Sequence, residues 1–155
     1  MQLIIASFNC IHMHNLYNMA QKPRLFRLHD ELSQSSDTIG INYGLENAKD
    51  RTLTYWSGSF MANTGHVIGF SFVCDENFPK TYPKVTFDES LKNKDPHDEP
   101  DEMGTYIRNI HKMYKPETSE LNPSLFPVKA WLPETSIGKF LSGTFDMIIG
   151  KVPVS

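Results

Sequence analysis

The chain has 155 residues, a formal net charge of −3, 39% apolar residues and two cysteines. A chain of this length forms about one domain, which can bury roughly two thirds of its unfolded surface without a metal or a disulfide staple. The near-neutral charge gives no broad reason to bind nucleic acid or an anionic membrane, and the lack of a disulfide framework argues against secretion and for a reducing compartment.

Residues 3–11 form an apolar run near the N-terminus. The run is too short to cross a bilayer, which takes about 20 apolar residues. It also lacks the positively charged leader that precedes the apolar part of a signal peptide. The sequence therefore predicts neither a membrane span nor a signal peptide in this run.

A first helix is predicted from residue 23 onward. Leu25, Leu28 and Leu32 recur at i, i+3 and i+7 and predict its apolar face. Phe26 lies well to the side of that face, at about 100° per residue. The core therefore does not account for Phe26, which needs another surface to cover it.

Four strands are predicted next: Thr38–Leu45, Thr52–Met61, His66–Cys74 and Lys84–Asp88. Gly-, Asn- and Asp-containing turns separate them, and the third strand alternates apolar and small residues with a period of two. This pattern predicts an antiparallel meander with a helix packed on one face, an α+β fold.

The segment 88–125 is polar and charged, with only a weak apolar period around Met103–Met113, and we predict a long loop or solvated insertion there. A last helix is predicted from about Glu134 to Ile149. Its apolar stripe consists of Ile137, Phe140, Leu141, Phe145 and Ile148.

Candidate chemical groups are few. Cys74 ends a strand on the same face as Phe70 and Phe72, which predicts a buried and inert thiol, because apolar surroundings raise a thiol's pKa. The six histidines lack the clustered spacing of a tight metal site. Neither a Gly-rich phosphate loop nor a nucleophile elbow is present. The sequence therefore predicts no catalytic residue, no metal site and no cofactor.

Two sequence blocks carry a family resemblance: INYGLENAKDRTLTYWSG at 41–58 and FPKTYPKVTF at 78–87. They resemble the ubiquitin-conjugating enzyme fold. In their detailed residue order they resemble its inactive branch, the ubiquitin-conjugating enzyme variants. The resemblance covers roughly residues 19 to 149. It implies an N-terminal helix, a four-stranded antiparallel meander and a C-terminal helix, without the last two helices of active enzymes.

The resemblance also implies that the chain is not itself an enzyme. Active members carry a cysteine shortly after a His-Pro-Asn motif that follows the last strand. Here no cysteine lies between Phe87 and Trp131, and the nearest substring, at 95–98, reads Asp-Pro-His-Asp. The string MAQKPRLFRL from Met19 resembles the start of the variants, which places the domain at 19–155. Residues 1–18 would then be either an appended, poorly ordered extension or an upstream start that is seldom used. The resemblance also leaves open that the segment 88–125 extends toward the active site of a partner enzyme.

The resemblance implies a heterodimer with an active ubiquitin-conjugating enzyme that also holds an acceptor ubiquitin. The partner-binding residues would be Pro23, Arg24, Phe26 and Arg27, with Phe26 inserted into a pocket of the partner. The ubiquitin-binding residues would be Asn42, Ser59 and Val67. The product would be non-degradative polyubiquitin chains for DNA-damage tolerance and signalling in cytoplasm and nucleus, with a ubiquitin ligase recruited through the partner.

Three alternatives remain open from the sequence. One is a module of the same fold that binds ubiquitin and Pro-rich peptides in protein sorting, although the short turn ANTG at 62–65 argues against its longer hairpin. The second is an enzyme that works through Cys74. The third is a purely structural domain that makes no contact with ubiquitin.

Overall fold

A computed structural model of the protein describes residues 23–115 and 120–154. The elements in chain order are helix α1 (Arg24–Ser33), strands β1 (Ile41–Leu45), β2 (Tyr55–Met61), β3 (Val67–Val73) and β4 (Lys84–Phe87), helix α2 (Glu89–Lys92), a 3-10 turn (Pro96–Asp98), and helices α3 (Asp101–Met113), α4 (Phe126–Lys129) and α5 (Ile137–Ile148). The predicted N-terminal helix, four-stranded meander and C-terminal helix are confirmed. The predicted extension 1–18 lies outside the described residues.

The four strands form one antiparallel sheet in the order β1-β2-β3-β4. Side chains alternate along each strand, so that one face of the sheet is buried and the other faces outward. Helix α5 covers the buried face, where the Phe145 ring stacks on Phe60 at a centroid distance of 4.3 Å and meets Phe70 edge-on at 5.1 Å. Strands β1 and β2 approach so closely at Gly58 that an added Cβ would collide with the Asn42 carbonyl and the Phe70 ring.

Helix α1 buries only part of the predicted leucine face. Leu28 is fully buried, but Leu25 is 45% exposed. Arg27 and Glu31 are the other buried residues of this helix. Leu32 is partly buried against the core, so the prediction is wrong for Leu25 alone. The packed face also contains a paired arginine and glutamate, which the leucine spacing did not predict. Phe26 lies outside the core, as predicted.

Helix α5 begins at Ile137, three residues after the predicted start at Glu134. The Ser136 hydroxyl accepts a hydrogen bond from the Lys139 N–H at 3.1 Å, which is the usual N-cap arrangement. The residues of the predicted apolar stripe are all buried. The start was placed too early because Pro133 and Glu134 resemble a helix start, while they belong to the preceding turn.

The prediction of a loop is wrong for the middle of segment 88–125, where α3 runs for 13 residues. Its buried side includes Met103, Ile107 and Ile110, and Asn109 Nδ2 donates to the Ile148 carbonyl of α5 at 2.9 Å. The sequence showed this helical period only weakly, because charged residues occupy the outer side of α3. After α3, the Tyr114 hydroxyl accepts a hydrogen bond from the Phe87 N–H on the free edge of β4.

Candidate protein-interaction site

The start of α1 presents apolar side chains to solvent. Phe26 is 66% exposed and Leu25 is 45% exposed, and Pro23 directly before the helix is also exposed. A large aromatic side chain in the first turn of a surface helix gains nothing from folding while it remains uncovered. Phe26 is therefore placed where another molecule can cover it.

Arg24 fixes this end of α1 to the rest of the domain. Its guanidinium donates to the carbonyls of Thr52 at 2.6 Å, Cys74 at 2.6 Å and Asp75 at 2.8 Å, and to the Thr54 hydroxyl at 3.2 Å. The planar fork of an arginine suits such converging acceptors better than a lysine does. Arg24 thus joins α1 to the β1–β2 loop and to the end of β3.

The loop held by Arg24 is itself organised by Asp50. The Asp50 carboxylate accepts hydrogen bonds from the Thr52 hydroxyl at 2.6 Å, the Thr52 N–H at 2.9 Å and the Thr54 N–H at 3.0 Å. These bonds, that of the Thr52 hydroxyl first, lower the pKa of Asp50 to about 2. Between Thr52 and Thr54, the backbone of Leu53 is left-handed, with a φ of 52°, and its side chain is buried in the core. The loop is therefore a rigid support for the start of α1.

Arg27 is a core residue, with only 2% of its surface exposed. Its Nε donates to Glu31 Oε1 at 3.1 Å, and its Nη2 donates to the Thr135 carbonyl at 2.8 Å. Glu31 Oε2 in turn accepts from the Ile137 N–H at the start of α5, at 3.0 Å. Burial raises the pKa of Glu31. Arg27 and Glu31 thus join α1 to α5, and Arg27 has no surface with which to touch a partner.

Sequence reasoning missed the role of Glu31. The signal was present, because an arginine and a glutamate four residues apart lie on the same side of a helix. That spacing is usual on solvent-exposed helix faces, and it gave no sign that this pair is buried.

The structure brings Asn42, Ser59 and Val67 together on the outer face of the sheet. Asn42 of β1 lies opposite Ser59 of β2, and Val67 of β3 lies opposite Met61, two residues further along β2. Val67 and Met61 are 54% and 60% exposed. Met61, which the sequence analysis did not single out, completes an apolar pair at this end of the face.

The rest of the outer face is flat and consists of small side chains. A shallow depression there is lined by residues of β1 and β2 that include Asn42, Gly44, Ser57 and Ser59. At the other end Tyr55 is 57% exposed and directly follows the loop held by Arg24. The start of α1 and the outer face are therefore joined through one ordered loop.

Cys74 is fully buried, and burial raises the pKa of its thiol well above the ordinary range. It is the only cysteine among residues 23–115 and 120–154. In these ranges no three histidine, cysteine, aspartate or glutamate side chains are grouped so that they could hold a metal ion. None of the helices described here has the length and apolar character that crossing a membrane requires.

Comparison with known proteins supports the resemblance seen in the two sequence blocks. The chain is 34% identical over 77 residues to the ubiquitin-conjugating enzyme variant MMS2 of Saccharomyces cerevisiae, covering 44% of this chain and 56% of that protein. It is 36% identical over 77 residues to the ubiquitin-conjugating enzyme spm2 of Schizosaccharomyces pombe, covering 44% and 55%. The chain thus spans just over half the length of these curated relatives. No protein-family profile matches the sequence.

The fold is that of the ubiquitin-conjugating enzymes. The structure superposes on human ubiquitin-conjugating enzyme E2 G1 with a TM-score of 0.56 over 83% of this chain and 98% of that one. The sequence identity of 16% means that this likeness concerns the fold alone. The predicted resemblance to ubiquitin-conjugating enzyme variants is confirmed by the curated relatives.

Proposed function

We propose that this chain is a non-catalytic variant subunit that pairs with an active ubiquitin-conjugating enzyme and positions an acceptor ubiquitin for polyubiquitin synthesis. The observation that carries the proposal is the exposed Phe26, presented by a helix that Arg24 and Arg27 hold rigidly. The similarity to the curated variants supports the same assignment.

The proposed role is non-catalytic because conjugation needs an accessible thiolate that carries ubiquitin as a thioester. Cys74 is fully buried with a raised thiol pKa, and no cysteine lies between Phe87 and Trp131. Cys10, the other cysteine, lies outside the described residues. The thioester would be supplied by the active partner.

In this proposal Phe26 and Pro23 touch the partner, and Leu25 lies beside them. Arg24 and Arg27 act as positioning residues, because their guanidinium groups are engaged within the domain. A rigid aromatic anchor that fills a partner pocket is typical of the few residues that carry most of the binding energy of an interface.

Acceptor ubiquitin would lie on the outer face of the sheet, over Asn42, Ser59 and Val67, with Met61 as an added apolar contact. A flat surface of small residues favours a weak contact, which is sufficient for an acceptor that must be oriented rather than held. Well-oriented reactants reach effective molarities of about 10⁵–10⁸ M, so orientation alone can select one acceptor lysine.

The wider setting belongs to the same proposal. Non-degradative chains made in this way would serve DNA-damage tolerance and signalling in the cytoplasm and nucleus. A ubiquitin ligase would be recruited through the active partner, and the chain would need neither a cofactor nor a metal of its own.

A chain-formation assay tests the proposal. It combines activating enzyme, ATP, an active ubiquitin-conjugating enzyme and ubiquitin with the wild-type chain, with Phe26→Ala, or with His29→Ala, which changes an exposed polar residue of the same helix. We expect free chains with the wild type and His29→Ala, and a loss of stimulation with Phe26→Ala. Equal chain formation with and without the wild type, across partners of proven activity, would refute the proposal.

A second function, binding of Pro-rich peptides on the same fold, is favoured by one observation. A groove of about 520 Å³ runs beside β4 and is lined by Val73, Tyr82 and Leu121 among others. Aromatic-lined grooves are the usual docking sites of such peptides. Titration with a labelled Pro-rich peptide distinguishes the two functions. Saturable peptide binding that is abolished by Tyr82→Ala would favour this second function over the heterodimer.

A further inference from the structure

A second groove lies on the solvent side of α5, away from both surfaces described above. One wall is the loop at 37–39, where Ile39 is 98% exposed, and the other is α4, where Phe126 is 58% exposed. The groove has a volume of about 580 Å³. Its floor consists of small residues of α5: Gly138, Ser142 and Gly143.

The two walls meet α5 at glycines. A Cβ on Gly138 would lie 2.6 Å from the Thr38 hydroxyl, and a Cβ on Gly143 would lie 3.7 Å from the Phe126 ring. Five residues of helix correspond to about 7.5 Å along its axis, so the walls are close together over a floor without bulky side chains. A shallow groove with one exposed isoleucine and one exposed phenylalanine on its walls suits a chain segment with apolar side chains.

The charges on the rim favour an occupant without carboxylates. Asp37 and Asp146 lie along the groove together with a single cation, Lys139. An acidic segment would place its carboxylates beside two others, whereas an apolar or cationic one would not.

The chain itself contains a segment with these properties. The 22 residues before Pro23 include no aspartate and no glutamate, and the run LIIASFNCI at 3–11 is predominantly apolar. The intervening residues 12–22 can span about 36 Å when extended. Helix α1, which separates Pro23 from the groove wall, is ten residues or about 15 Å long. The apolar run can therefore reach the groove of its own molecule.

We propose that residues 3–11 dock in the groove between Ile39 and Phe126, with apolar side chains over Ser142 and Gly143. The N-terminal segment would then cover the helix side of the domain and leave Phe26 and the outer sheet face free. This inference rests on the groove and on the composition of the segment, and it does not depend on the proposed function.

Disulfide trapping tests the docking, because Cys10 lies in the apolar run and Cys74 is buried. Ser142→Cys places a second thiol on the groove floor. Lys49→Cys is the matched control, since it lies in the loop that Arg24 holds at the start of α1, within easy reach of an undocked segment. Both full-length variants are equilibrated in a glutathione redox buffer, and intramolecular disulfides are quantified by mass spectrometry without reduction.

We expect the equilibrium constant for the disulfide between residues 10 and 142 to exceed that for the 10–49 disulfide at least tenfold. We also expect Phe126→Ser in the Ser142→Cys background to reduce this preference. Equal constants for the two sites would overturn the docking. A disulfide between residues 10 and 142 of two separate molecules would also overturn it and would show that a second copy fills the groove.

A measurement on the unmodified protein complements the trap. Amide hydrogen exchange is compared between the full chain and a chain that begins at Met19. We expect slower exchange or changed NMR shifts at 138–143 and 126–129 in the full chain, with β1–β3 unchanged. If both proteins are folded, identical exchange rates and identical NMR shifts in the two chains would refute the proposal.

Discussion

The two arginines of the PRLFRL string at 23–28 lie three residues apart and anchor α1 in different ways. Arg24 is partly exposed and donates hydrogen bonds to backbone carbonyls and a hydroxyl of two loops. Arg27 is buried and donates to the Glu31 carboxylate and to a carbonyl in the turn before α5. Between them, Phe26 is left to solvent. This helix thus has two different kinds of anchor on either side of its exposed aromatic residue, one at the surface and one in the core.

The core anchor should matter most for folding. Arg27→Ala leaves the Glu31 carboxylate buried without its cation, and removal of one partner from a buried pair costs about 3–5 kcal/mol. We expect a loss of this size in the free energy of unfolding, measured by urea denaturation.

A double replacement sharpens that prediction. In Arg27→Met/Glu31→Leu both charges are removed and the volume is kept, so most of the stability should return. A double variant as unstable as Arg27→Ala would show that the Thr135 and Ile137 hydrogen bonds, rather than the stranded charge, account for the loss.

Phe26→Ala should affect binding instead of folding. Truncation of a central aromatic anchor costs about 2–4 kcal/mol of partner affinity. Calorimetric titration with the active conjugating enzyme measures the loss, while the urea midpoint should stay within error of the wild type. A large fall in stability would mean that Phe26 packs within the domain.

The surface anchor should show a smaller, coupled effect. Arg24→Lys keeps the charge but loses most of the fork, and hydrogen bonds to charged groups contribute about 1.5–3 kcal/mol. We expect Arg24→Lys to weaken partner binding. Its loss of binding free energy should not add to that of Phe26→Ala, because Arg24 acts through the placement of Phe26. Full additivity in the double-mutant cycle would show that Arg24 contacts the partner itself.

The outer face should give the smallest effects on affinity. Residues of a flat, weak contact typically cost less than about 1 kcal/mol each when truncated. We expect Ser59→Ala and Val67→Ala each to reduce ubiquitin binding slightly in NMR titrations and to leave partner affinity unchanged. A loss of partner binding would mean that the two surfaces are not separate.

The loop beneath α1 provides a test through pH. The pKa of Asp50 is lowered to about 2 in the folded protein, from an ordinary value of 3.8. A lowered pKa contributes stability that is present above pH 3.8 and is lost as the pH falls toward 2. Asp50→Asn should therefore flatten the acid unfolding curve in this window, and an unchanged curve would contradict the role of Asp50.

The strands were predictable because their signals are local. Period-two alternation and Gly- or Asn-containing turns directly reflect the pleat and the reversals of a meander. In α5 the apolar stripe was also sufficient, since the buried polar residue beside it, Thr144, donates its hydroxyl to the Phe140 carbonyl one turn back in the same helix. The outer-face residues Asn42 and Ser59 became neighbours only through the strand register, which the turn lengths constrain.

The errors arose where polar residues are buried or apolar ones exposed. In α1 the leucine spacing pointed to a face that includes Leu25, while the packed face contains Arg27 and Glu31. In α3 the charged residues between Met103 and Met113 left the buried stripe only a weak signal, which we interpreted as part of a loop. Both cases depend on distant partners, namely the turn before α5 and α5 itself, which no local pattern identifies.

The hydroxyl of Tyr114 affects whether the β4 edge of the sheet can pair with strands of other molecules. It accepts from the Phe87 N–H at 3.0 Å and approaches the Val85 carbonyl at 3.4 Å, so one side chain occupies both kinds of edge group on β4. Open strand edges are templates for pairing with other chains and for aggregation. Burial raises the pKa of Tyr114, so the hydroxyl keeps its proton to a higher pH than that of an exposed tyrosine. Tyr114 thus occupies one N–H and one C=O group of this edge, which leaves fewer groups for strand addition by another chain.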